Sequence, residues 1–223
     1  MSEPPRPAGR GDDGKAHQVQ DNGRRISAVL DELMAVHADA PQISVGEIVD
    51  HLKDRAFGLL LLVFALPNVV PVGIPGVSTV LGVPLILLAF QLLIGRPMPW
   101  FPRWVRRRCL SRPKLAAALG HARPHIRRME RLLRPRLLLL TGPLGERLLA
   151  LIALALAIIL ALPIPFGNWP PALAIVLFAL ALLERDGLFY VLGLCATLLA
   201  IAFLAGAGAA FLAAVMGVLG LGG

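Results

Sequence analysis

The sequence predicts an all-α integral membrane protein made of duplicated helical hairpins that Pro and Gly break, or turn back as re-entrant segments. A C-terminal helical hairpin and amphipathic interfacial helices complete the prediction. Three observations carry it. The 223-residue chain is 57% hydrophobic and 16% charged, with a mean hydropathy of +0.72, whereas a soluble domain is about 45–50% apolar and about 25% charged. Residues 57–95, 148–183 and 187–223 contain no Asp, Glu, Lys or Arg. A helix crosses the ~30 Å hydrocarbon core in about 20 residues, so each window can hold two crossings or a re-entrant hairpin. Finally, clusters of Pro and Gly divide the first two windows at corresponding places.

Residues 1–25 are polar, rich in Pro and Gly, and lack the apolar core of a signal peptide. They read as a disordered tail, because such a composition buries too little apolar surface to offset its ordering entropy. Residues 26–56 read as amphipathic cytoplasmic or interfacial helices. Ile26, Leu30, Leu33, Met34 and His37 fall at helical spacing. Ser44 followed by Glu47 is a capping box, and the helix it opens is expected to run straight into the bilayer, since only Gly46 and Gly58 could interrupt it.

The first broken hairpin occupies residues 57–95. Its apolar run 57–66 is too short to cross and meets Leu66-Pro67-Asn68; Pro71, Gly73, Pro75 and Gly76 follow, and a second apolar run, 77–94, returns. Residues 148–187 repeat the plan, with run 148–162, then Pro163, Pro165, Gly167, Asn168, Pro170 and Pro171, then run 172–183. Ala65-Leu66-Pro67 matches Ala161-Leu162-Pro163, and Pro71-Val72-Gly73 matches Pro165-Phe166-Gly167. Interrupted segments at corresponding places in two halves are the best sequence pointer to a transport site. Residues 188–223 form a C-terminal membrane helix or hairpin, with Gly206-Ala207-Gly208 near the middle. Small residues at Gly206, Ala210 and Ala214 offer a close-packing face, within the chain or in a homodimer.

Residues 96–147 form a basic cytoplasmic or interfacial loop with helices. The stretch 95–136 alone carries a net charge of +12. Positive residues in short loops stay cytoplasmic, and a basic block between membrane segments argues against a nucleic-acid partner. Trp100 and Trp104 suit the headgroup boundary. An apolar stripe of Ile126, Met129, Leu132 and Leu133, interleaved with Arg127, Arg128 and Arg131, suits a helix lying on anionic lipid headgroups. All charged residues fall in four stretches, so three hairpins rooted in the cytoplasm, with the two repeats parallel, is the favoured topology; inverted repeats need a further crossing near 132–144.

The polar residues inside the windows are Asn68, Ser78, Thr79, Gln91, Asn168, Tyr190 and Thr197; Arg147 and the run Glu184-Arg185-Asp186 flank the second window. Asn68, Ser78, Thr79, Gln91, Arg147, Asn168, Glu184, Arg185 and Asp186 are therefore the candidates for substrate or ion binding. The same asparagines serve equally well as turn or cap residues, and the charged run as an interface marker. No acid, base and nucleophile are poised together as catalysis requires, so an enzyme is not expected. Cys109 and Cys195 sit in different environments with no CxxC or His cluster, so neither a disulfide, a metal nor a cofactor is expected.

Several motifs occur in an order that resembles the ExoD family. They are Ser44-Val45-Gly46-Glu47, Arg55-Ala56-Phe57-Gly58, Ala65-Leu66-Pro67-Asn68, Gly76-Val77-Ser78-Thr79, Gln91 to Arg96, Pro99-Trp100-Phe101-Pro102, Thr141-Gly142-Pro143, Gly167-Asn168 with Pro171, and Glu184-Arg185-Asp186-Gly187. The resemblance spans about residues 42–215. It implies a multi-pass protein of the bacterial inner membrane acting in exopolysaccharide synthesis, with other proteins of that pathway as partners. The family's association with alkaline tolerance implies ion or proton movement. Two readings follow: a transporter-like protein for an anionic solute, an ion or proton, or a lipid-linked saccharide, and a non-transporting scaffold for the synthesis enzymes.

Overall fold

A computed structural model of the chain describes residues 26–36, 40–69, 77–117, 119–121, 124, 142–162 and 167–218. The tail 1–25 and the stripe bearing Arg127, Arg128 and Arg131 lie outside these residues.

The first helix, α1 (Ile26–Val36), matches the amphipathic spacing and leads to β1 (Gln42–Ser44) and α2 (Val45–Leu52). The capping box forms in full. Ser44 Oγ accepts from the Glu47 amide at 3.2 Å, and the Glu47 carboxylate accepts from the Ser44 amide at 2.7 Å. Together they satisfy two of the orphan donors at the helix start. Ser44→Ala is expected to cost about 1 kcal/mol of local stability, read as faster amide exchange in α2 with the rest of the chain unchanged.

The helix does not run straight on. Lys53 takes a positive φ of 47° and its amide donates back to Val49, closing α2. A three-residue 3-10 turn (Lys53–Arg55) then sets a new axis for α3 (Ala56–Val69). α3 also outlasts its expected end at Leu66, continuing through Pro67 to Val69, since a proline this close to the C-terminus sacrifices only the hydrogen bond to Val63. Next come α4 (Val77–Leu93), α5 (Arg103–Arg106), β2 (Cys109–Ser111), α6 (Pro143–Ala161), α7 (Trp169–Glu184) and α8 (Gly187–Val218).

One further element departs from the all-α expectation, and one open alternative is resolved. β1 and β2 pair antiparallel, with Ile43 opposite Leu110; strands of three residues are too short to show a period of two. Of the two forms expected for the C-terminal window, a helix or a hairpin, it takes the first, a single 32-residue helix. Gly206 and Gly208 cost helix stability of about 1 kcal/mol each, but alanines surround them and no proline or polar turn residue is there to stop the helix.

Small residues set the helix pairing. A Cβ placed on Gly82 of α4 would sit 2.9 Å from the Ala161 Cβ and 3.0 Å from its Cα, at the end of α6. One placed on Gly95, just past α4, would approach the Arg147 guanidinium near the start of α6 at 3.6 Å. These two contacts make α4 and α6 antiparallel. A Cβ on Gly58, near the start of α3, would meet the Ala179 carbonyl at 3.0 Å and Leu183 Cγ at 2.8 Å, near the end of α7. α3 therefore packs along α7, and α4 along α6, so each hairpin clasps the other.

α8 extends the bundle by lying antiparallel on α7. Gly193 faces the Phe178 ring, and Trp169 meets Phe203 edge-on at 5.9 Å. Tyr190 stacks edge-on against Phe178 at 6.1 Å, and its hydroxyl donates to the Gly145 carbonyl at 3.3 Å. That last bond ties the start of α8 to the start of α6. The core between the five helices is apolar, filled by Leu61, Leu85, Leu88, Leu149, Leu156, Leu160, Ile175 and Phe178.

The outer surface is apolar as well. Val63, Val80, Val83, Phe90, Leu151, Ile158, Leu198 and Leu199 are each at least half exposed. Pro143–Ala161 and Gly187–Val215 are long and apolar enough to cross a membrane, yet only 33% and 28% of their apolar windows are buried. A core helix of a soluble protein would be mostly covered.

Candidate functional site

The pairing sorts the polar residues to two ends of the bundle. The starts of α3 and α6, the ends of α4 and α7, and the start of α8 share one end, which holds Arg55, Arg96, Glu146, Arg147, Glu184, Arg185 and Asp186. The ends of α3 and α6 and the starts of α4 and α7 share the other; these flank the two Pro/Gly breaks, whose residues 70–76 and 163–166 lie outside the described residues. Asn68, Ser78, Thr79 and Asn168 lie at this break end. Gln91, Arg147 and Glu184 to Asp186 lie about 20 Å away, one length of α3, at 1.5 Å per residue.

At the break end, Asn68 is 5% exposed and its Nδ2 donates to the Phe64 carbonyl at 3.0 Å. This bond ties the last turn of α3 to itself, which is cap chemistry. Asn168 is different. It occupies the N-cap position of α7 but its side chain makes no capping bond, and its buried Oδ1 has no hydrogen-bond partner among the described residues. Ser78 and Thr79 are half-buried in the first turn of α4.

Proline shapes the electrostatics here. α7 opens with Trp169-Pro170-Pro171, so two of its first three residues carry no amide hydrogen. A helix start attracts anions through free N–H groups, and here most of them are missing. Pro67 likewise leaves the Val63 carbonyl without the usual helical donor four residues on. The start of α7 is therefore poor in donors, and the Asn168 Oδ1 beside it is an acceptor.

The charged end is knitted by backbone caps. Gly95, at φ +75°, closes α4, with the Arg96 amide reaching the Gln91 carbonyl at 3.1 Å. Arg185, at φ 50°, closes α7 in the same way, with the Asp186 amide reaching Ala181 at 3.2 Å. These are six-to-one caps of Schellman type. Asp186 is fully buried and its Oδ1 accepts from the Leu188 amide at 2.8 Å, capping α8. Glu184 is half-buried, while Arg147 and Arg185 are exposed.

Gln91 is also absorbed locally. Its Nε2 donates to the Trp100 carbonyl at 3.2 Å and its Oε1 accepts from the Trp100 amide. The side-chain amide thus stands in for a strand partner and pins the 95–100 turn against α4. Gln91→Leu is expected to release that turn, costing about 1–3 kcal/mol for the stranded polar groups and red-shifting Trp100 emission.

Sequence reasoning missed three things: the proline depletion of donors at α7, the Arg147–Gly95 contact, and the Tyr190–Gly145 tie. Only the first had a signal, in Trp169-Pro170-Pro171; the others join residues 52 and 45 positions apart. Among the described residues no group of three or more His, Cys, Asp or Glu could hold a metal ion.

The fold and its two ends define a class: a helical protein of two clasped, break-ended hairpins under an apolar surface. A family model described as "Exopolysaccharide synthesis, ExoD" matches residues 26–206. Protein ExoD of Rhizobium meliloti (strain 1021) is 34% identical over 181 residues, covering 78% of this chain and 75% of that one. An uncharacterized protein of Synechocystis sp. (strain ATCC 27184 / PCC 6803 / Kazusa) is 30% identical over 165 residues, covering 74% and 78%. No solved structure matches. The chain belongs to the ExoD family, which is linked to exopolysaccharide synthesis.

Proposed function

We propose that the chain is a multi-pass inner-membrane protein of exopolysaccharide synthesis whose paired breaks pass, or help to pass, a hydrogen-bond-donating solute. One observation carries the reading: the cross-paired hairpins bring both breaks to one end of the bundle and the charged residues to the other. With the charged end at one membrane surface, the arms reach only about 21–28 Å by helical rise, against a hydrocarbon core of ~30 Å. Both breaks then fall at membrane depth. Irregular backbone there must be buried in protein or line a wet cavity.

The internal repeat belongs to this reading. Each half runs from an acid–arginine pair (Asp54-Arg55, Glu146-Arg147) through an apolar arm to a Leu-Pro break, and returns to a six-to-one cap. The two halves run parallel, which suits a chain rooted on one side. The donor-poor start of α7, with the buried Asn168 Oδ1 beside it, favours a cation, a proton donor or saccharide hydroxyls over a bare anion. Reconstitution of the full chain into liposomes tests this. Proton or alkali-cation flux, or movement of a lipid-linked saccharide, is expected above that of empty vesicles, and the absence of all three would remove the reading.

A scaffold role has its own support at the charged end. The pairing of β1 with β2 and the Arg106–Asp50 ion pair lock α1 and α2 onto the basic segment. In this reading that unit, packed on the bundle core through Val49, Leu52 and Phe101, receives partner proteins. A scaffold would tolerate Asn68→Ala and Asn168→Ala without loss of exopolysaccharide.

A further inference from the structure

We infer that the segment from Arg96 to Arg108 is a docking surface for anionic lipid headgroups, with Trp100 and Trp104 seated at headgroup level and four arginines on the phosphates. The inference rests on the membrane reading above and adds the lipid that the charged end selects.

Trp100 is 53% and Trp104 69% exposed. Between them Phe101 turns inward and is 9% exposed, anchoring the segment in the core. Gln91 clamps the Trp100 main chain on both its amide and its carbonyl, within one turn of the end of α4. The height of the two indoles is therefore set by the bundle itself. Indole rings prefer the boundary between hydrocarbon and water, and here the apolar surface of the bundle ends where they project.

Charge complements this placement. Arg96, Arg103, Arg107 and Arg108 are all exposed, and among the described residues no carboxylate pairs with them. Arg106 is set apart from them: Asp50 neutralises it and Gly46 packs against its side chain. One arginine thus holds α2 in place while four face outward beside two tryptophans. An acidic soluble protein would answer the charge but leave the indoles unexplained. An anionic bilayer surface answers both, and each Arg near such a surface strengthens attraction by about fivefold.

The three tryptophans of the chain allow a direct test. Trp169→Phe leaves the pair at the charged end; Trp100→Phe with Trp104→Phe leaves Trp169 at the break end. Each full-length variant is reconstituted into phosphatidylcholine vesicles containing phosphatidylglycerol, with bromine on the acyl chains of one lipid or the other. In Trp169→Phe, brominated phosphatidylglycerol is expected to quench more than an equal fraction of brominated phosphatidylcholine, by about twofold. That excess should shrink at about 0.5 M salt, where screening shortens well below the ~10 Å of 0.1 M, and with Arg103→Gln, Arg107→Gln and Arg108→Gln combined. Equal quenching by the two lipids would overturn the inference, as would access to aqueous iodide without lipid quenching, which would reassign the surface to a soluble acidic partner. Trp169 separates the two claims. Its quenching by deeply brominated lipid supports the membrane reading whatever the headgroup result, and its quenching by iodide alone would overturn both.

Discussion

Gly82→Leu is expected to be the most disruptive single substitution in the chain. Its first new carbon would stand 2.9–3.2 Å from three atoms of Ala161, two of them backbone. Main chain cannot swing aside as a flexible side chain can, so α4 and α6 must separate. Overpacking a tight interface costs about 1–3 kcal/mol, and a close helix–helix approach built on small residues in an apolar surround lies at the upper end. Gly58→Leu should act similarly through the Ala179 carbonyl at 3.0 Å. The control is Gly206→Leu, where nothing lies within 4 Å among the described residues and a gain of up to about 1 kcal/mol from helix propensity is expected in place of a loss. Denaturation of the detergent-solubilised protein ranks the three, and equal effects would refute the clasped arrangement.

Asn168→Ala is expected to move stability and function in opposite directions. Its buried Oδ1 has no partner among the described residues, a state that costs about 1–3 kcal/mol, so alanine should raise the unfolding midpoint. Under the proposed function the same oxygen contacts the passing solute, and losing one such bond lowers flux about tenfold, the equivalent of about 1.4 kcal/mol. Asn68→Ala should do the reverse: it loses the bond to Phe64 at 3.0 Å, lowering stability by about 1 kcal/mol while changing flux less. Stability lost at a polar group kept for function is a common trade. If Asn168→Ala lowers stability and leaves flux intact, that asparagine is a turn residue.

Much of this was legible before any coordinates. Ser44 and Glu47 announced their capping box because the chemistry is local, spanning four residues. The end of α6 at Leu162 was legible in Leu162-Pro163 for the same reason, whereas Leu66-Pro67 misled, since α3 runs on to Val69. What escaped was set by distant partners or by backbone angles without a sequence mark. Lys53 at φ 47° and Arg185 at φ 50° are neither Gly nor Asn, the residues that usually signal a left-handed turn. Gly206-Ala207-Gly208 left a helix and a hairpin both open, and the helix persists because alanines flank it. The nine polar candidates were visible as polar positions in an apolar chain, but only the cross-pairing separated Asn68 and Asn168 from Gln91, Arg147 and Asp186. Periodicity cannot supply that, because it describes each helix alone and not which helix lies beside it.

The central claim is that both breaks sit together, at the end of the bundle away from the charges. Single cysteines at Asn68, Asn168, Arg96 and Arg185, in a chain with Cys109→Ser and Cys195→Ser, report it directly. Sealed membrane vesicles of either orientation are treated with an impermeant maleimide. Cysteines at 96 and 185 are expected to react only from the cytoplasmic face, and those at 68 and 168 to share one pattern, distinct from it. Labelling of 68 and 168 from opposite faces would contradict the account, because no parallel, clasped pair of hairpins can place its two breaks on different sides.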